Sequence, residues 1–472
     1  MSIPILWQNP FSFKLESLFI SEYFSSLNED EINILKEYGL NLKISRKLFN
    51  YAKFLKDLNL LNGLEIKVIK LINLNLVKPI SSETYFKALM NVVINLLLKL
   101  IFESGAVLHK LSLPVSKSFE FKPEIFYSIE RNELLFSKLQ HLTLSVMPEF
   151  NIENITIFLK VLAKNITTIS SLELVIFSDY ESGLYYSLFH AIIRIIKSQK
   201  QLKWFALGGV DHPYGIISAL ERQKNSLQEV IINKCTYNKE FEVLKDCKNL
   251  ETLRIINCSS KLLNLLDCKI STLEVVDCPI DVQTSIPLIL ENSGLLLQRL
   301  SFKSGNFGGD NHKVLEALKS FCPNITHLMI KYSKFSIQLL ELIGNLQKLQ
   351  FLSLCCIVDD DIPEEELKIR VMKFAGILPL TLQYLELMDV WLYSYVDILL
   401  NRCKAPLKKL LIYQFNHEKH TRALIEFCIR NKALNYVGVH RYSDLDKNFR
   451  KGVEAHLTNV ALVPWYRIIV NL

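Results

Sequence analysis

From residue 108 to near the C-terminal end, one spacing of apolar residues returns thirteen times: apolar-x-x-apolar-x-apolar, often closed by x-x-Cys. Its clearest copy is Cys247-Lys248-Asn249-Leu250-Glu251-Thr252-Leu253-Arg254-Ile255-Ile256-Asn257-Cys258. Leu227/Val230/Ile232 with Cys235 precede it, and Ile270/Leu273/Val275 with Cys278 come after. The last two apolar residues of each copy are two apart, so on a short strand both point to one side, into a core. The residue between them, and the one before, then point to the opposite face. The closing cysteine falls in the turn after the strand, where a small apolar side chain tolerates burial.

With the first apolar residue as marker, copies begin at 108, 139, 169, 202, 227, 250, 270, 297, 325, 349, 382, 407 and 434. That is about 27 residues per copy, inside the roughly 20–29 of leucine-rich repeats. Leu55/Leu58/Leu60 form a weaker copy that could be a first turn. Between copies lie stretches such as Val314/Leu315/Leu318/Phe321 and Leu339/Leu340/Ile343/Leu346, apolar at helical spacing. Strand then helix, thirteen times, predicts an α/β leucine-rich-repeat solenoid: a horseshoe with a parallel inner sheet and helices on the convex side. A doubly wound sheet would need longer strands and a phosphate loop, and neither G-x-G-x-x-G nor G-x-x-x-x-G-K-[ST] is present.

A chain of 472 residues exceeds one ordinary core but suits an array in which each unit packs on its neighbours. Residues 1–107 break the rhythm and read as an N-terminal cap, 108–459 as about 13 repeats, and 460–472 as a C-terminal cap. Asn28-Glu29-Asp30-Glu31 before Ile32 and Leu35 has the form of a capped helix start. Val463, Trp465, Tyr466, Ile468 and Ile469 would plug the last repeat.

Half the residues are hydrophobic and 22% charged, which excludes large-scale disorder. The net charge of +7 is mild for this length and forms no evident stripe, so no nucleic-acid partner is expected. The N-terminus lacks the basic and apolar regions of a signal peptide. The stretch Leu89 to Phe102 is interrupted by Asn91, Asn95 and Lys99 and reads as a buried helix, too short for a membrane span. Ten cysteines include no Cys-x-x-Cys pair, and three sequons, at Asn154, Asn165 and Asn324, mean little without a secretory signal. A reduced, intracellular setting is expected, cytoplasmic or nuclear.

Two parts of the sequence resemble a known family. The form C-x-x-L-x-x-L-x-L-x-x-C at 247–258, with Phe321-Cys322-Pro323-Asn324-Ile325, is similar to the cysteine-containing repeats of F-box/LRR proteins. The start, Ile3-Pro4-Ile5-Leu6-Trp7-Gln8-Asn9-Pro10-Phe11, resembles the segment that comes after the F-box in a large fungal F-box family. Phe49-Asn50-Tyr51-Ala52-Lys53-Phe54-Leu55 resembles that family's next segment. The resemblance implies a substrate-recognition subunit of an SCF ubiquitin ligase. It also implies that the chain begins where the F-box ends, as a truncated reading frame or an F-box-less relative. A Skp-type linker would then be a partner only if an F-box lies upstream. The alternative is a stand-alone regulatory or inhibitory leucine-rich-repeat protein unconnected with ubiquitin.

Catalytic and metal chemistry finds little support. Asp359-Asp360-Asp361-Ile362-Pro363-Glu364-Glu365-Glu366 lacks the glycine and alternating spacing of an EF-hand and reads as a solvated loop entering a helix. His417 and His420, near His440, read as an exposed pair at a helix start rather than a zinc site. Cys355 and Cys356 are adjacent, which makes no redox pair, and one should fill the core. No G-x-S-x-G, H-E-x-x-H or kinase set is present, so no enzyme and no cofactor are expected.

The concave face is the candidate site, for an unidentified protein partner. Its strand positions include Lys110, His141, Glu173, Trp204, Glu229, Arg254, Glu274, Arg299, His327, Phe351, Tyr384, Glu386, Lys409 and Tyr436. Charges of both signs alternate, which suits a protein better than a phosphate track. Trp204, Phe351, Tyr384 and Tyr436 are residue types that dominate interface energetics, unless they pack on neighbouring strand residues. Replacing Trp204 or Tyr384 by Ala is expected to weaken binding and leave the fold intact.

Overall fold

The structure is a computed structural model that describes residues 7–11, 18–42, 50–61, 64–77, 82–115, 122–132, 134–147, 152–177, 186–209, 214–265, 269–278, 282–303, 312–415, 418–445, 447–456 and 460–468. Packing divides the chain into two compact units, Met1–Asn249 and Leu250–Leu472.

Among the described residues of the first unit, six strands run in chain order: β1 (Asp57–Asn59), β2 (Lys110–Val115), β3 (His141–Val146), β4 (Ser171–Ile176), β5 (Trp204–Gly208) and β6 (Glu229–Asn233). Each pairs in parallel with the next. The second unit repeats the arrangement with β7 (Thr252–Ile256), β8 (Thr272–Val276), β9 (Arg299–Lys303), β10 (His327–Lys334), β11 (Phe351–Ile357), β12 (Tyr384–Leu387), β13 (Lys409–Ile412), β14 (Tyr436–Val439) and β15 (Ala461–Pro464). These too pair in parallel, each with its successor. From β2 to β14, every strand begins two residues after its sequence marker. The next two apolar residues of the copy are buried in each, as at Leu253 and Ile255 or Leu410 and Ile412. Helices such as Ile152–Asn165, His312–Phe321 and Glu418–Arg430 return the chain between strands. The architecture is an α/β leucine-rich-repeat solenoid.

Not every strand leads into an α-helix. Ser218–Gln223 and Lys239–Asp246 in the first unit, and Ser260–Leu265 in the second, are 3-10 turns. The markers there are as little as 23 and 20 residues apart. So short a return leaves room for one or two turns, and the 3-10 form covers more length per residue than the α form.

The cysteine that closes three of these repeats owes its place to the backbone. Lys234, Asn257 and Asp277 have φ of 52°, 52° and 51°, in the left-handed region that reverses a strand at once. Cys235, Cys258 and Cys278 come next and are buried. Their thiols face strand-end carbonyls, Cys258 Sγ lying 3.2 Å from the Ile256 oxygen. In the first unit, two buried glutamines do similar work at the other end of a repeat. Gln199 donates to the Ile166 and Ile195 carbonyls and accepts from the Ile169 N–H. One repeat on, Gln223 donates to the Ile196 and Gln199 carbonyls and accepts from the Leu202 N–H. Each supplies donors to carbonyls at or just past a helix C-terminus, where the helix's own N–H groups run out.

The N-terminal segments singled out by the family resemblance pack on one another where they are described. The Trp7 ring stacks on Tyr51 at 4.3 Å and meets Phe19 and Tyr23 edge-on. The Gln8 carbonyl accepts the N–H groups of Lys56 and Asp57 at the start of β1, which is the weaker copy read at Leu55/Leu58/Leu60. Ile3 to Leu6 and Phe49 lie outside the described residues. Asn28 and Glu31 form the expected capping box on the helix Glu29–Glu37. The apolar stretch read at Leu89 to Phe102 belongs to a longer helix, Glu83–Glu103, whose 21 residues are long and apolar enough to cross a membrane. Leu89, Val93, Leu97, Ile101 and Phe102 on it are buried in the first unit.

The C-terminal segment contributes a strand, since β15 continues the ladder beyond β14. A short turn, Trp465–Arg467, then brings Ile468 against Phe351, Tyr384 and Leu411.

Candidate functional site: the open face of the second unit

Side chains alternate along each strand, so the residues not committed to the core form rows across the sheet. In the second unit the first row is Thr252, Thr272, Arg299, His327, Phe351, Tyr384, Lys409 and Tyr436, in register. The second row contains Arg254, Glu274, Ser301, Met329, Ser353, Glu386, Leu411 and Gly438. Arg254, Glu274, Arg299, Phe351, Tyr384, Glu386, Lys409 and Tyr436 therefore fall on two rows of one face. Trp204 lies on β5 of the first unit, between Ser171 and Glu229.

Their environments differ sharply. Tyr436 is 44% exposed, whereas Phe351 and Tyr384 are only 3% and 8% exposed. The two rings stack at 4.2 Å with 12° between planes, and His327 stacks on the other side of Phe351 at 5.6 Å. Leu411 and Ile468 complete their cover. Phe351 and Tyr384 thus pack on neighbouring strand residues and on the chain's own C-terminal segment. Trp204, Arg254, Glu274, Arg299 and Lys409 are half-buried.

Polar groups beside the stack are tied together. Glu386 accepts the Ser353 hydroxyl at 2.8 Å, and its other oxygen stands 4.0 Å from His440 Nε2. Burial works to raise the Glu386 pKa, but His440, Ser353 and the Lys331 charge outweigh it, so the group sits below its ordinary value. The Trp465 ring lies on His440 at 4.7 Å. On β7 and β8, Arg254 pairs with Glu274 at 3.0 Å.

The acidic run at 359–366 enters the helix Glu364–Ile377, with all three glutamates in its first turn, where the helix dipole favours them. Asp359 pairs with Lys334, and Glu365 with Lys368. His420 is fully buried, edge-on to Tyr393 and Phe415, so the exposed-pair reading fails for it; His417 lies outside the described residues. His440 sits elsewhere, stacked on Tyr413 and Trp465. Among the described residues no group of three His, Cys, Asp or Glu could hold a metal. Cys356 fills the core, and burial pushes the Cys355 thiol up to about 11 and those of Cys322 and Cys428 to about 12, the opposite of an activated thiolate. The Asn324 amide of the third sequon donates to the Leu295 carbonyl.

A third outward position escapes a reading of two per strand. Lys303, Lys331 and Cys355 occupy it on β9, β10 and β11, paired in register. Ile256 and Val276 hold the same position on β7 and β8, and the signal is present in the sequence, because alternation continues one step past the second buried residue in each of these strands.

The repeat, its register and its open face define a leucine-rich-repeat fold. No protein-family model matches the chain, and no curated protein sequence matches it. Solved structures resemble it at low identity. Rad7 with Elc1 from yeast has a TM-score of 0.43 at 15% identity, over 81% of this chain and 98% of that one. TLR13 in complex with ssRNA13 has a TM-score of 0.39 at 14% identity, over 76% of this chain and 52% of that one, so this chain spans about half of TLR13's length. The leucine-rich-repeat protein LegL7 of Legionella pneumophila has a TM-score of 0.36 at 15% identity, over 59% and 91%. Likeness at these levels carries nothing about activity or partners.

Proposed function

We propose that this chain is a non-catalytic protein-interaction module whose partner lies on the open face of the sheet. One observation carries the reading. Opposite the buried core, the strands leave rows of half-exposed charged and aromatic side chains, including Arg254, Glu274, Arg299 and Tyr436. Mixed charge with aromatic anchors is the composition of a protein interface. The family resemblance extends the proposal to substrate recognition for an SCF ubiquitin ligase, with 1–107 and 460–472 as caps and a Skp-type linker held by an F-box.

Proximity labelling with the intact chain, then affinity measurement, tests the site. Trp204→Ala should weaken the recovered partner by about 2 kcal/mol or more, while substitutions at Glu364 to Glu366 should cost little. Loss of binding through the acidic residues with Trp204 silent would move the site to that loop. Co-purification of a Skp-type linker with an F-box-extended chain, and not with this one, would favour the ubiquitin reading over a stand-alone regulator.

A further inference from the structure

We propose that the part of this face formed by β9 and β10 is an acidic-peptide site, in which Arg299 and Lys331 receive carboxylate or phosphate groups of the partner. The inference rests on the interaction-surface reading above and names the partner's chemistry.

Charge on this part of the face is unbalanced. Arg299 stands in register with His327, and Lys303 with Lys331, on adjacent parallel strands about 4.8 Å apart. Like charges placed directly across a ladder destabilise it. Burial, and then the Arg299 charge, lower the His327 pKa. The neighbouring carboxylates are already committed. Glu274 holds Arg254 at 3.0 Å, Asp277 holds Lys303 at 2.6 Å and Asp359 holds Lys334 at 3.0 Å. Glu386 is bound by the Ser353 hydroxyl and feels Lys331 only from longer range. Among the described residues, Arg299 and Lys331 have no salt bridge within 4 Å. Two cations thus remain without a counter-ion there, beside neighbours whose charges are paired.

The surface beside Arg299 can seat a side chain. A shallow cavity of about 50 Å³ is lined by Arg254, Glu274, Arg299, Ser301, His327 and Met329. Met329 supplies adaptable apolar surface and Arg299 a planar fork suited to a carboxylate or phosphate. The interspersed Glu274, Asp277 and Glu386 disfavour a continuous phosphate backbone and suit a short segment carrying one or two anionic groups.

An array of equal-length random peptides, probed with the intact chain at low and high salt, tests this. Aspartate-, glutamate- or phosphoserine-containing peptides should be enriched, with binding that falls as salt rises. Arg299→Glu/Lys331→Glu should lose about tenfold or more of that binding. Arg299→Gln/Lys331→Gln, which leaves no buried partner unpaired and relieves the like-charge pairing, should lose a similar amount with a melting temperature no lower than that of the wild-type chain. Three results would overturn the proposal: enrichment of basic or neutral peptides, acidic-peptide binding untouched by both double variants, or tighter binding of a single-stranded oligonucleotide. Peptides bound without acidic preference yet lost on Trp204→Ala would sink this inference and leave the interaction-surface reading standing. No bound peptide at all would count against both.

Discussion

The carboxylate of Asp389 accepts the backbone N–H of Cys356 at 2.5 Å across 33 residues of sequence. The Trp391 indole N–H donates to the carbonyl of the same Cys356 at 3.0 Å. Both backbone groups near the end of β11 are thus satisfied by the segment after β12. That strand runs to seven residues where β12 has four, and the bracing accounts for the extra length.

Asp389 is also, among the described residues, a strongly pH-sensitive group. Burial raises its pKa from 3.8 to about 7, against the opposing hydrogen bonds from Cys356 and Cys355. The folded state therefore holds a proton that the unfolded state releases, so this contribution to stability is full below about pH 4 and is lost as pH rises through 7. Asp389→Asn keeps an oxygen to accept the Cys356 N–H and removes the titration. Relative to wild type, the variant should gain roughly 2–3 kcal/mol between pH 5 and pH 8, read from urea midpoints at the two pH values. A constant difference would mean that Asp389 does not titrate in this range.

Tyr384→Ala should act on stability, against the expectation from sequence that the fold stays intact. The ring is 8% exposed and stacked on Phe351. Truncating it removes a buried aromatic and its ring pairing, for a loss of about 3–5 kcal/mol in chemical unfolding. Trp204, half-buried on the first unit's open face, should cost less than about 1.5 kcal/mol when truncated, which keeps Trp204→Ala usable for binding measurements. Equal losses at the two positions would contradict the packing described.

The repeat is legible in the sequence because each strand obeys one local rule. Two buried residues set two apart, as at Leu253 and Ile255, persist whether an α-helix or a 3-10 turn comes next. Features outside that rule are hidden. Ala461–Pro464 is apolar throughout, with neither a preceding marker nor a fully buried pair set two apart, so it reads as part of a plug and folds as a strand. Phe351 and Tyr384 look outward because their strand positions are outward. Their cover comes from Ile468, more than 80 residues on, and no local pattern encodes it. His420 misleads for a similar reason: its burial depends on Tyr393 and Phe415, which the fold brings together.

Gln223 should matter more to stability than its plain appearance in the sequence suggests. Its amide donates to two carbonyls and accepts one N–H in a fully buried setting. Gln223→Leu strands the Leu202 N–H and the Gln199 carbonyl, leaves the Ile196 carbonyl with only the Gln199 N–H at 3.3 Å, and should cost about 2–4 kcal/mol, because unmade buried hydrogen bonds carry their desolvation penalty. Gln223→Glu should be worse at neutral pH, since a carboxylate cannot donate to the Ile196 and Gln199 carbonyls. If Leu were tolerated within about 0.5 kcal/mol, ordered water would have to supply the missing partners.

Leu253→Ala separates core from surface. Leu253 is 1% exposed and lies beside Arg254, whose side chain faces the other way to Glu274. Shortening it leaves a cavity and should cost about 2–5 kcal/mol, the spread reflecting how far the neighbours can collapse. Arg254→Ala removes a half-exposed ion pair and should cost no more than about 1 kcal/mol. For partner binding the ranking reverses. Measured well below the unfolding transition, Leu253→Ala should retain affinity, because its effect is on the folded fraction. Arg254→Ala should weaken binding and release Glu274 from its ion pair, which would add negative charge beside Arg299 and reduce acidic-peptide capture further. Comparable stability losses in the two variants would mean that the alternation of core and face is not held along β7.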